Sequence, residues 1–150
     1  MEPWLDEGLT NLLENGVYDL TYTKSKSYCA KLMHSKFYTR KNVKRANKES
    51  ANQFINKNQK ANYINYPVTN PPKGVDTEDM AYELGMDFPA VLKVAMGETK
   101  FFDALHDYYQ TYYLKQATTQ DFLNIIRKYD NSKKVNNVIN KFIDPKYLSE

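Results

Sequence analysis

The 150-residue chain has a single cysteine, Cys29, so no intrachain disulfide can form. Cys29 has no Cys or His at ligand spacing and reads as a core thiol. Glycine and proline are sparse, five and six residues, which argues against a low-complexity or disordered chain. No hydrophobic run approaches the length of a signal h-region or a membrane span, and the start is acidic rather than basic. The expectation is a soluble segment without membrane contact, either cytoplasmic or part of a membrane-anchored parent. Histidine is rare too. His34 and His106 lie on separate predicted helices, and neither has an i, i+4 partner for a metal. Each reads as a surface or half-buried histidine. Neither a convincing alternating strand pattern nor an internal repeat is visible.

Aromatic residues are abundant: 13 Tyr, 7 Phe and one Trp. The chain is long enough to bury a core around them as a single domain, residues 1–150. Charge is unevenly placed. Residues 1–23 carry −5, residues 24–60 carry +10, and residues 61–150 carry −2, giving the net +3. A basic middle between acidic ends suits packing of those ends around it, or an anionic partner.

Helical periodicity dominates. Pro3 suits a first turn, Leu5, Leu9, Leu12 and Leu13 repeat at helical spacing, and Gly16 suits a C-terminal cap. Asp6 and Glu7 sit where the helix dipole favours negative charge by roughly 0.3–1 kcal/mol. A helix is predicted from about Ser25 into the forties, with Cys29, Met33 and Phe37 on one face. A second helical piece runs through Gln53-Phe54-Ile55 and Tyr63-Ile64. Residues 66–74, with three prolines and a glycine, must be a loop. Asp76-Thr77-Glu78-Asp79 starts the next helix, whose stripe is Met80, Leu84, Phe88, Val91, Leu92 and Ala95. Pro89 falls inside it, and the stripe keeps phase across it. Two segments or one kinked helix are therefore expected, without a change of direction. A helix from Glu98 to about Leu114 should bury Phe101, Phe102, Leu105, Tyr109 and Tyr112. Thr118-Thr119-Gln120-Asp121 caps one that buries Phe122, Leu123, Ile126 and Tyr129. The last helix, from about Ser132, buries Val135, Val138, Ile139 and Phe142 and ends before Pro145. The fold class is all-α, a helical bundle.

Two groups of residues carry a resemblance. The first is Trp4-Leu5-Asp6-Glu7-Gly8-Leu9. The second is a series in order: Asn65-Tyr66-Pro67-Val68, Tyr82-Glu83-Leu84-Gly85, Gly97-Glu98-Thr99-Lys100-Phe101-Phe102, His106-Asp107-Tyr108-Tyr109 and Ala117-Thr118-Thr119-Gln120-Asp121-Phe122. Together they resemble the C-terminal half of the catalytic domain in gluzincin zinc metallopeptidases of the membrane-alanyl-aminopeptidase-like family. The likeness covers residues 1–23 and about 65–130 well, and 24–64 poorly. It implies the C-terminal lobe of a thermolysin-like catalytic domain. It also implies that Glu7 is a zinc ligand and that the Tyr82 hydroxyl stabilises the oxyanion of the tetrahedral intermediate. A catalytic zinc takes three protein ligands and a water, and polarises the scissile carbonyl. A phenolic donor aimed at the oxyanion supplies further stabilisation. Tyr82 lies about 200° around an ideal helix from Met80, off the apolar stripe. Gly85, one turn on, leaves room beside the ring.

The chain departs from the family in several places. The residue before the helix glycine is Leu84 rather than Lys, the next is Met86 rather than a small residue, and Pro89 enters a normally continuous helix. The family's His-Glu-x-x-His helix, with its two ligand histidines and general base, stands upstream of this segment. The resemblance therefore implies zinc and a peptide substrate for the complete domain, joined to the missing N-terminal half. For this chain alone it implies no bound zinc and no activity. Beside it stand simpler readings: Glu7 as a dipole-favoured carboxylate and Tyr82 as a packing tyrosine. A non-catalytic module using the basic segment 24–60 on an anionic or protein partner is the alternative, as is a degenerate relative that keeps the scaffold for protein contacts. No nucleic-acid-binding motif accompanies the basic segment, so no specific nucleic acid is expected.

Overall fold

The computed structural model describes residues 2–13 and 63–148. The expected Gly16 cap, the helix from Ser25 with Cys29, Met33, His34 and Phe37, and the piece through Gln53-Phe54-Ile55 lie outside the described residues. Among the described residues there are five helices and no strand, an all-α arrangement. Helix α1 opens with the π-helical turn Trp4–Gly8 and continues as α-helix over 9–13. Helix α2 is composite: Thr77–Asp79, the π-helical turn Met80–Leu84, then Gly85–Met96. Helices α3 (Glu98–Tyr112), α4 (Thr119–Tyr129) and α5 (Lys133–Phe142) follow, with a 3₁₀ turn at Pro145–Tyr147.

Local chemistry sets most boundaries. Asp76 Oδ1 accepts from the Glu78 N–H at 2.9 Å and starts α2. Gly97, at φ 88, joins α2 to α3 as a single residue in a conformation that L side chains disfavour. Thr118 and Asp121 form a reciprocal capping box at the start of α4. Ser132 caps α5 by accepting from the Val135 N–H.

The core lies where α2 packs on α1, α3 and α5, and α3 on α4. Trp4, Phe88, Phe101, Phe122 and Phe142 are its largest fully buried side chains. Burying each of these contributes about 1.5–3 kcal/mol. The Trp4 ring stands edge-on to Phe88 (5.3 Å) and Phe122 (5.4 Å), fastening α1 between α2 and α4.

Three expectations need correction. Tyr63 and Ile64 are not helical: the Ile64 N–H donates to the Phe142 carbonyl at 2.8 Å, and buried Asn65 exchanges two hydrogen bonds with the Asp144 backbone. These bonds hold the segment against the end of α5. On α3, Phe102 and Tyr109 are exposed, and the buried line is Phe101 and Ala104 with Leu105 and Tyr108 half-buried. Five Tyr and Phe residues occupy two faces of that helix, so hydrophobicity alone does not choose between them. Helix α3 also ends at Tyr112, because Tyr113 leaves helical backbone at ψ 123 and Leu114 follows at φ 57. The segments of α2 meet at Leu84/Gly85, four residues ahead of Pro89, and Pro89 itself lies inside the α-helical part.

Candidate functional site

Glu7 lies in the π-helical turn of α1 and Tyr82 in that of α2. The two turns pack directly on each other. Across that contact the Glu7 carboxylate, acting as an acceptor towards the Tyr82 hydroxyl, is the main cause that holds the phenol above its ordinary pKa. Partial desolvation and the negative charges of Glu7, Glu78 and Asp6 push the same way. Tyr82 is 41% exposed and Glu7 half-buried, so the pair meets at the surface and remains open to solvent. The two residues singled out from sequence thus form one side-chain pair.

A π-turn adds a residue to a helical turn and re-aims the side chains it carries; such turns are frequent at functional sites. Here each member of the pair rides on one. Two further contacts fix the crossing. The Asn11 amide donates to the Tyr82 carbonyl at 3.5 Å. More closely, Gly8 lies against the peptide of Gly85. A Cβ on Gly8 would come to 2.3 Å from the Gly85 oxygen and 2.8 Å from its Cα. Gly85 in turn faces Trp4 and the Gly8 Cα. Its missing side chain admits α1, rather than leaving room beside the Tyr82 ring as expected. Glycine inside a helix costs roughly 0.5–1 kcal/mol relative to alanine, and the backbone contact is what both glycines gain. Pro89 contributes as well, since it has no N–H to give the Gly85 carbonyl four residues back.

The N-terminal residues are tethered independently. Trp4 Nε1 donates to Thr119 Oγ1 at 2.9 Å in the core. The Thr119 N–H donates to the Glu2 carboxylate, which caps the positive end of α4. These bonds set where α1 starts, and hence where Glu7 sits. Sequence gave no sign of them, since they join residues more than a hundred positions apart.

A cavity of about 1090 Å³ lies elsewhere among the described residues. Leu5, Leu9 and Leu13 of α1 line one wall, and Phe102, Leu105 and Tyr109 of α3 line the other. Its rim includes Asp6 and His106, but neither Glu7 nor Tyr82. The pair therefore lies outside this groove.

A zinc centre needs three protein ligands. Among the described residues, no group of three or more His, Cys, Asp or Glu is gathered to hold a metal. His106 is exposed on α3, and Glu7 contributes one carboxylate. The described residues thus do not fit a zinc ion by themselves. The sequence has no second histidine near His106 or near Glu7.

Comparison with known families gives a match over residues 1–142 to the peptidase family M1 domain. That span takes in the Glu7 turn, the Tyr82 turn and the helices through α5. No curated protein and no solved structure gives a match. The match, covering nearly the whole chain, places this protein in peptidase family M1.

Proposed function

We propose that this chain supplies one wall of a zinc-dependent aminopeptidase-like site, with Glu7 as the single zinc ligand it carries and Tyr82 as the oxyanion donor. Zinc in a complete domain of this family activates a water and polarises the scissile carbonyl of a peptide. The residues of this chain do the positioning. The two π-turns hold a carboxylate and a phenolic O–H within hydrogen-bonding reach on an open surface. The observation that carries the reading is the direct packing of the Glu7 turn on the Tyr82 turn, two segments far apart in sequence, with the Glu7 carboxylate acting on the Tyr82 phenol. The two ligand histidines and the general base come from the other half of the domain, so the chain by itself neither holds zinc tightly nor cleaves peptides.

Complementation tests this. The chain alone should take up no stoichiometric zinc by metal analysis and hydrolyse no aminoacyl anilide. Mixed with a polypeptide that carries the His-Glu-x-x-His half of a family member, it should gain zinc. Glu7→Ala should abolish that gain, while Tyr82→Phe should keep the zinc and lower turnover. Tight zinc on the chain alone, lost in Glu7→Ala, would contradict the dependence on a second half. Zinc uptake in the mixture that ignores Glu7 would remove its role as ligand.

A further inference from the structure

We infer that Gly8 is a positioning residue for the Glu7–Tyr82 pair, its bare Cα against the Gly85 peptide setting how closely the two π-turns approach. This rests on the reading of the pair as the site, but concerns its geometry rather than its chemistry.

Gly8 follows Glu7 directly, and Gly85 lies one turn beyond Tyr82. The group that a Cβ on Gly8 would meet is not a flexible side-chain tip. It is a carbonyl carbon at 2.4 Å and its oxygen at 2.3 Å, both fixed in a helix backbone. Ordinary non-bonded contact needs about 3.5–4.0 Å. One methyl group therefore forces α1 and α2 apart by about 1 Å or more. The influence of the Glu7 carboxylate on the Tyr82 hydroxyl is short-ranged, since hydroxyl–carboxylate contact needs about 2.5–3.0 Å between oxygens, and it weakens on such a separation. Gly85 is the milder position. Its Cβ would meet Trp4 Cβ at 3.2 Å, the Met80 oxygen at 3.3 Å and Gly8 Cα at 3.4 Å, contacts that small shifts relieve.

The test labels the full chain with ¹³C at tyrosine Cζ, whose signal responds to hydrogen bonding of the hydroxyl. Tyr82 is assigned through Tyr82→Phe. Glu7→Ala gives the signal position without the carboxylate. Gly8→Ala should move the Tyr82 signal by the same amount in the same direction. Adding Glu7→Ala to Gly8→Ala should move it no further, because the two variants break one interaction. Leu123→Ala, a core truncation remote from the pair, should lower stability and leave the Tyr82 signal in place. A folded Gly8→Ala with the original Tyr82 signal would overturn the inference, as would an equal shift in Leu123→Ala. Should Gly8→Ala not fold, Gly85→Ala decides by the same signal, with a partial shift expected. Two unfolded glycine variants would likewise overturn it, since the contact would then serve folding alone. None of these outcomes involves zinc, so failure here is separable from failure of the complementation experiment.

Discussion

Trp4 has its indole N–H buried and bonded to the Thr119 hydroxyl, and it is the only tryptophan in the chain. Its fluorescence therefore reports the docking of α1 on α4 and little else. Thr119→Val keeps the shape of the site but strands the N–H. It should cost about 1–3 kcal/mol, seen as a lower denaturant midpoint by Trp4 emission. Trp4→Ala removes the whole ring and should cost about 3–5 kcal/mol. A small domain has only about 5–15 kcal/mol in total, so circular dichroism of Trp4→Ala should show a largely melted chain at moderate temperature. Tyr108 is the strongest pH reporter. Burial, then the negative charge of Asp121, pushes its phenol up to about 12. In the unfolded chain it ionises near 10. Between those values the folded state keeps a proton that the unfolded state has lost. Stability from Tyr108 is thus full below pH 10 and is lost as pH rises towards 12. Tyr108→Phe should flatten that part of an alkaline unfolding curve; an unchanged slope would assign the loss to other tyrosines.

Helix α4 displays how a short element is held by its ends. Thr118 Oγ1 accepts from the Asp121 N–H at 3.2 Å, and Asp121 Oδ2 accepts from the Thr118 N–H at 2.9 Å. The Thr118 backbone bond is the main cause that draws the Asp121 carboxyl below its usual range, helped by the Thr118 and Tyr112 hydroxyls. Thr118→Ala should cost about 1 kcal/mol, measured as a lower thermal midpoint. Because the Asp121 pKa is depressed on folding, its contribution is present above the ordinary carboxylate value and fades as pH falls through the folded one. Thr118→Ala should therefore cost less at pH 2 than at pH 7. Helix α2 illustrates the opposite case, where an element is shaped by its neighbour. Its propensity and stripe specify a helix, but the π-turn at Met80–Leu84 exists where α1 presses Gly8 onto Gly85.

On the scale of the whole molecule, positive charge is concentrated in one stretch of the sequence. The described residues hold the core and the Glu7–Tyr82 pair, whereas eleven of the 21 Lys and Arg residues fall in 24–60. A run of that charge attracts any polyanion by counterion release, without needing a specific site. Binding to a nucleic-acid duplex should accordingly be weak at ~0.15 M salt, where the Debye length is about 8 Å, and indifferent to sequence. A fluorescence anisotropy titration that finds tight, sequence-selective binding at that salt would favour the binding-module reading over the peptidase one. No helix among the described residues is long and apolar enough to cross a membrane.

Helix content, the caps at Asp76, Thr118 and Ser132, and the buried stripes of α2, α4 and α5 were legible in the sequence. These depend on residues three or four apart, which periodicity reads directly. The motifs around Glu7 and Tyr82 were legible as a family resemblance, which the match over residues 1–142 bears out. What sequence could not supply was distance. The meeting of Glu7 with Tyr82, the bond from Trp4 to Thr119 and the non-helical path of Tyr63-Ile64 along α5 all join positions remote in the chain. Which aromatic residues of α3 face inward was settled by its neighbours, because Phe and Tyr line both of its sides. Gly8 shows the difference most clearly. Its place in the sequence announces only a weak point in a helix; its contact with the Gly85 carbonyl exists because two helices cross there, and no side chain fits between them.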